Sequence, residues 1–178
     1  MKSDLELVEL ANQGDPDAFE ALYYQYRDWV YRLAWRFTGD HQDALDVLQE
    51  TFIYLLGKFP GFELTASMTT FLYPAVKHIS TAIRAKKHRI ASDDEVLREL
   101  EASDHKEPTG GSRSELAVVL TLLPDQQREI LLMRFVDDMS LQEISIALNL
   151  PLSTVKSKLY RALQTLREDR RTRDYFLK

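Results

Sequence analysis

Between Gly14 and Phe37 the chain reads GDPDAFEALYYQYRDWVYRLAWRF, and its apolar residues Phe19, Leu22, Tyr23, Tyr26, Val30, Leu33, Ala34 and Phe37 recur three and four positions apart. No other feature constrains the fold as strongly. Residues at that spacing line one face of a helix, and the stripe has to be buried against other elements. A strand would need alternation at every second residue, and no segment of the chain shows it. Asp15 suits the cap of this helix, Pro16 its first position and Gly39 its end.

The same period returns in DHQDALDVLQETFIYLLGKF, where Ala44, Val47, Leu48, Phe52 and Leu55 point inward while Asp43, Asp46, Gln49 and Glu50 form another face. After the polar interruption PGFELTASM, the stretch TTFLYPAVKHISTAIRAKKHR resumes the helical pattern, with Pro74 predicting a kink or a late start. Residues 91–112 combine acids with a Pro-Thr-Gly-Gly end and read as a linker, with room for one turn of helix in EVLREL. Helices then return in SELAVVLTLL, in PDQQREILLMRF with Pro124 at its start, and in the last stretch of the chain. The prediction is an all-α protein of two small helical domains, 1–90 and 113–178, joined by a flexible acidic linker.

Composition bears on partners. The net charge of −5 conceals two basic patches. Lys77, Arg84, Lys86, Lys87 and Arg89 fall in 77–89 without an acid, and Lys/Arg outnumber acids again in 152–178, while 91–112 is strongly acidic. Distribution rather than the sum steers binding to nucleic acid. Cysteine is absent, and His41, His78, His88 and His105 show no ligand spacing, so no metal, cofactor or disulfide framework is expected. No apolar run is long enough to span a bilayer, and MKSDLELVEL is acidic where a signal peptide would be basic, which predicts a cytoplasmic location without membrane insertion. No Gly-rich phosphate loop or nucleophile–base pair is present, so no catalytic residue is assigned and an enzyme is disfavoured.

The segment SLQEISIALNLPLSTVKSKLYRALQTLRE is two helices broken at Asn149-Leu150-Pro151. Ser140 and Glu143 make an S-x-x-E capping box for the first. The second, starting near Ser153, buries Val155, Leu159, Ala162, Leu163 and Leu166. Its other side presents Ser153, Thr154, Ser157, Tyr160, Arg161 and Gln164, flanked by Lys156 and Lys158. Hydroxyls, an amide and a guanidinium between ammonium groups suit a DNA groove, bases at the centre and phosphates at the sides. A packed bundle helix with a solvated polar face would show the same spacing.

LPDQQREILLMRFVDDMSLQEISIALNLPLSTVKSKLYRALQTLRE resembles region 4 of bacterial RNA polymerase sigma factors of the extracytoplasmic-function group, in its Leu-Pro-x-x-x-Arg start, Ser-x-x-Glu-Ile helix and Thr-Val-Lys-Ser helix. AFEALYYQYRDWVYRLAWRFTGDHQDALDVLQETF is similar to region 2 of the same family. The resemblance implies a promoter-specificity subunit that binds core RNA polymerase and promoter DNA and is held by an anti-sigma factor. It places Asp43, Asp46, Gln49 and Glu50 at the β′ clamp helices. Region 4 it places at the β flap. Lys77, His78, Arg84, Lys86 and Lys87 fall at the −10 element, where Phe71 and Tyr73 beside the basic run supply aromatic groups suited to an unstacked strand, and Ser153, Thr154, Lys156, Ser157, Lys158, Tyr160, Arg161 and Gln164 fall at the −35 element. The chain departs from the family pattern with Phe71 in place of Trp, Pro74 in place of Arg, Lys77-His78 in place of Arg-Asn, and Ala82 in place of Asp. These changes bear on −10 preference. The alternative is a stand-alone helix-turn-helix regulator whose N-terminal half senses a signal or dimerises.

Overall fold

A computed structural model of the chain describes residues 2–95 and 118–172, which fall into two compact units divided near residue 99. Among the described residues there is helix but no strand, and no helix is long and apolar enough to cross a membrane. Most of the expected linker, 96–112, lies outside the described residues, as do 113–117 and 173–178.

In the first unit α1 is Asp4–Asn12, α2 Pro16–Thr38, α3 His41–Leu56 and α4 Met68–Glu95. α2, α3 and α4 pack against one another, and α1 lies on α2. The buried stripe of α2 is Ala18, Leu22, Val30, Leu33 and Ala34; Ala44, Val47, Phe52 and Leu55 of α3 and Met68, Leu72, Tyr73 and Val76 of α4 meet it. The ends of α2 follow the sequence reading. Asp15 Oδ1 accepts from the Asp17 and Ala18 amides, and Gly39 closes the helix at φ 72°, a left-handed conformation that glycine adopts without steric cost. Of the expected inward residues of α3, Leu48 is only half-buried, and Thr51 takes a core place by bonding its hydroxyl to the Val47 carbonyl at 2.7 Å.

Two features depart from expectation. Residues 4–12 form a helix of their own, closed at its start by a Ser3–Glu6 capping box. Pro74 does not delay α4, which begins six residues earlier and runs through it; Ser67 Oγ accepts from the Thr70 amide at 3.4 Å. The missing Pro74 amide removes one bond, to the Thr70 carbonyl, and the exposed ring faces away from the core.

In the second unit a helical segment at 118–122 precedes α5, Asp125–Phe135, then α6, Leu141–Ala147, and α7, Leu152–Glu168. α7 packs on both α5 and α6. Ser140 and Glu143 form the capping box of α6. Its other end is a Schellman closure: Asn149 turns left-handed at φ 51°, its amide bonds the Ile146 carbonyl at 3.1 Å, and the Leu150 amide reaches Ser145 at 2.9 Å. Ser145 Oγ returns a bond to the Leu150 carbonyl at 2.5 Å. These bonds fix the angle at which α7 leaves α6, and so fix the direction of its outer face.

Candidate polymerase-docking and DNA-binding surfaces

The geometry of α7 follows from its burial pattern. Val155, Leu159, Ala162 and Leu166 are buried, and Leu163 half-buried, so the helix has one orientation on its unit. Ser153, Lys156, Ser157, Tyr160, Arg161 and Gln164 are left exposed, with Thr154 and Lys158 half-buried at the edges. Tyr160 is 70% exposed, far more than packing would require of an aromatic ring. Ser157 bonds back to the Thr154 carbonyl, and Gln164 reaches Glu168 at 2.9 Å. Pro151 caps the helix without a side-chain bond.

On α3, Asp46, Gln49 and Glu50 are exposed. Asp43, grouped with them by spacing, is turned toward α4: its carboxylate accepts from Lys87 Nζ at 3.0 and 3.2 Å. Asp40 caps the helix by accepting from the Asp43 amide at 2.9 Å, the main reason its carboxyl lies below its ordinary value; Lys87 at 3.9 Å adds to the effect. Next to the exposed acids runs something the sequence reading missed, a shallow apolar groove of about 260 Å³ between α2 and α3, lined by Phe19, Tyr23, Leu45, Leu48, Phe52, Ile53 and Leu56. Leu45, Ile53 and Leu56, eight and three positions apart, are exposed apolar residues on one helix face, the signal that could have revealed it.

On α4 the residues grouped by charge separate. His78, Arg84 and Lys86 are exposed and Lys77 is half-buried. Arg84 Nη1 donates to the Phe37 carbonyl at 3.2 Å, and Lys87 is held by Asp43. Tyr73 requires a correction. It is fully buried, edge-on to Phe37 at 6.1 Å between centroids, and offers no face to a base. Helical phase is the reason: Phe71 and Tyr73, two residues apart, lie ~200° apart around the axis and cannot share a surface. Phe71 is half-buried, stacked on Tyr54 with an interplanar angle of 10° and tilted against Phe62 at 4.7 Å. Lys58 Nζ lies 4.4 Å above the Tyr54 ring.

The family model of sigma-70 region 2 matches residues 22–89, and that of sigma-70, region 4 matches residues 113–166. The chain is 32% identical over 143 residues to the RNA polymerase sigma factor SigV of Bacillus subtilis, covering 77% of this chain and 81% of that one. The chain belongs to the sigma-70 family. Within it, this sigma factor falls in the extracytoplasmic-function group: it is 29% identical over 177 residues to the ECF sigma factor SigW of Bacillus subtilis, covering 92% of this chain and 95% of that one. The fold is shared with the sigma factor RpoE of Bartonella quintana, solved in complex with the anti-sigma factor NepR, at a TM-score of 0.60 and 19% identity over 84% of this chain and 94% of that one. The first unit thus carries region 2 with the acidic face and basic helix, and the second carries region 4 with α7.

Proposed function

We propose that this sigma factor binds core RNA polymerase through the exposed face of α3, opens and holds the −10 element along α4, and reads the −35 element with α7. The observation that carries the reading is the outer face of α7, where Ser153, Lys156, Ser157, Tyr160, Arg161 and Gln164 stand exposed opposite the buried Val155, Leu159, Ala162 and Leu166. Base-directed groups lie at its centre and cations beside them, as groove reading requires. Asp46, Gln49 and Glu50, bordering the apolar groove, supply charge and contact area for the β′ clamp helices, and region 4 for the β flap. At the −10 element Lys77, His78, Arg84 and Lys86 meet phosphates, and Phe71 meets the unstacked strand. Lys87 and Asp43 belong to the scaffold between the two surfaces, and Tyr73 to the core.

The protein acts as a dissociable cytoplasmic subunit, not as a catalyst. An anti-sigma factor, the kind of partner with which RpoE was solved, holds the factor when it is idle. The test is run-off transcription with purified core polymerase. The factor directs initiation from its cognate promoter only in the presence of core enzyme, and binds the same DNA weakly alone. Tight operator binding without polymerase would favour the stand-alone regulator.

A further inference from the structure

Asn12, the last residue of α1, is bonded to a loop fifty residues away in the chain. Its Oδ1 accepts from the Gly61 amide at 2.7 Å and the Phe62 amide at 3.0 Å, and its Nδ2 donates to the Phe62 carbonyl at 2.9 Å. One side chain therefore satisfies three backbone groups of a segment that has no ladder partner. Gly61 makes this possible, because its φ of 100° turns two successive amides onto one oxygen, a conformation L residues rarely adopt.

What Asn12 holds is connected onward. The Phe62 ring lies 5.5 Å from Phe59 and 4.7 Å from Phe71, and Phe71 stacks on Tyr54. A shift of the 61–62 backbone therefore moves Phe62, and Phe62 supports Phe71 at the head of α4.

We propose that Asn12 is a positioning residue for the −10 element, bracing the α3–α4 loop from α1 so that Phe71 and its stack are in place when the promoter strand separates. The inference rests on the assignment of Phe71 to the −10 surface. Preorganisation of this kind acts on the step that uses the geometry and leaves remote contacts alone.

The experiment compares full-length Asn12→Ala, Asn12→Asp and Val8→Ala with the parent protein. Val8 is a buried α1 residue whose apolar side chain makes no hydrogen bond to the loop, and its truncation serves as the control for loosened helix packing. Each is assayed with core polymerase on a promoter library varied at −10 and at −35, alongside core affinity and thermal melting. Asn12→Ala lowers open-complex formation by about tenfold and flattens the −10 sequence profile, with core affinity and the −35 profile unchanged. Asn12→Asp, which keeps the acceptor for both amides, recovers part of the −10 discrimination. Val8→Ala lowers the melting temperature without changing the −10 profile. The proposal is overturned if Asn12→Ala keeps the parental −10 profile, or if Val8→Ala changes that profile as much. A parent protein that directs no transcription with core enzyme overturns the functional reading itself, a result distinct from either.

Discussion

Lys87 Nζ lies 3.0 Å from Asp43 Oδ2 and 3.2 Å from Oδ1, so the basic run of α4 is tied to the first turn of α3. One cation ascribed to DNA and one acid ascribed to polymerase are thereby engaged with each other. The Asp43 carboxylate, by its hydrogen bond first, raises the Lys87 pKa above its usual 10.5. For a raised lysine the stabilisation is complete below the unfolded value and disappears as pH climbs through the folded one, so the bridge is intact at neutral pH. Salt is then the variable that loosens it.

A double-mutant cycle of Lys87→Ala and Asp43→Ala should give a coupling of about 0.5 kcal/mol at low ionic strength, small because the ammonium is exposed. The coupling should vanish near 1 M salt, where screening extends to within ~3 Å of a charge. Urea unfolding at the two salt concentrations measures it. Additive single mutants at low salt would show that the bridge contributes nothing in solution.

Charge reversal at the exposed pair, Asp46→Lys with Glu50→Lys, should reduce core polymerase affinity while leaving the helical circular dichroism spectrum intact. The two residues are four apart on α3 and neither is buried, so the change acts on partner binding rather than on packing. Co-purification of the double variant with core enzyme at the parental level would remove α3 from the docking face.

Tyr73→Ala should cost about 3–5 kcal/mol of stability, the range for emptying a large aromatic site in a core. Its effect on transcription should follow the folded fraction at each temperature, with the −10 profile unchanged. A variant that melts like the parent and alters −10 preference would put Tyr73 back on the DNA surface.

The parts of this fold that could be read directly were those specified by neighbours in sequence. Asp15 and Pro16 opening α2, Gly39 closing it, and the Ser140–Glu143 box each involve contacts within four residues, and the structure has them all. The Ser3–Glu6 box that opens α1 is a local signal of the same kind. Residue type beside a basic run points Tyr73 toward DNA, whereas its helical phase turns it into the core. The Asn12 bonds to 61–62 and the Lys87–Asp43 bridge join residues more than forty apart, and no local pattern announces such a pair. The outer face of α7 was legible because its buried residues recur with the helical period and leave the remainder only one side.

That face allows the sharpest separation of roles. Arg161 and Tyr160 are exposed one turn beyond Ser157, at the centre of the outer surface, and Lys156 is exposed in the turn before. A guanidinium can bond two acceptors of a guanine edge at once, and its loss typically costs ~1–3 kcal/mol and relaxes preference at one base pair. An ammonium set toward the backbone contacts phosphate, and its loss weakens every sequence alike while reducing the salt slope by about one counterion. Arg161→Ala should therefore lower transcription from the cognate promoter and blunt the effect of −35 mutations, whereas Lys156→Ala should lower activity on all promoters and flatten its salt dependence. Leu159→Ala is the control: the side chain is on the buried underside, so its truncation should cost about 2–5 kcal/mol of stability in the second unit without changing which base pairs are preferred. The measurement is transcription from a −35 library at two salt concentrations, with thermal melting of each variant. If Arg161→Ala leaves both the level and the −35 profile unchanged, α7 packs the unit and reads nothing.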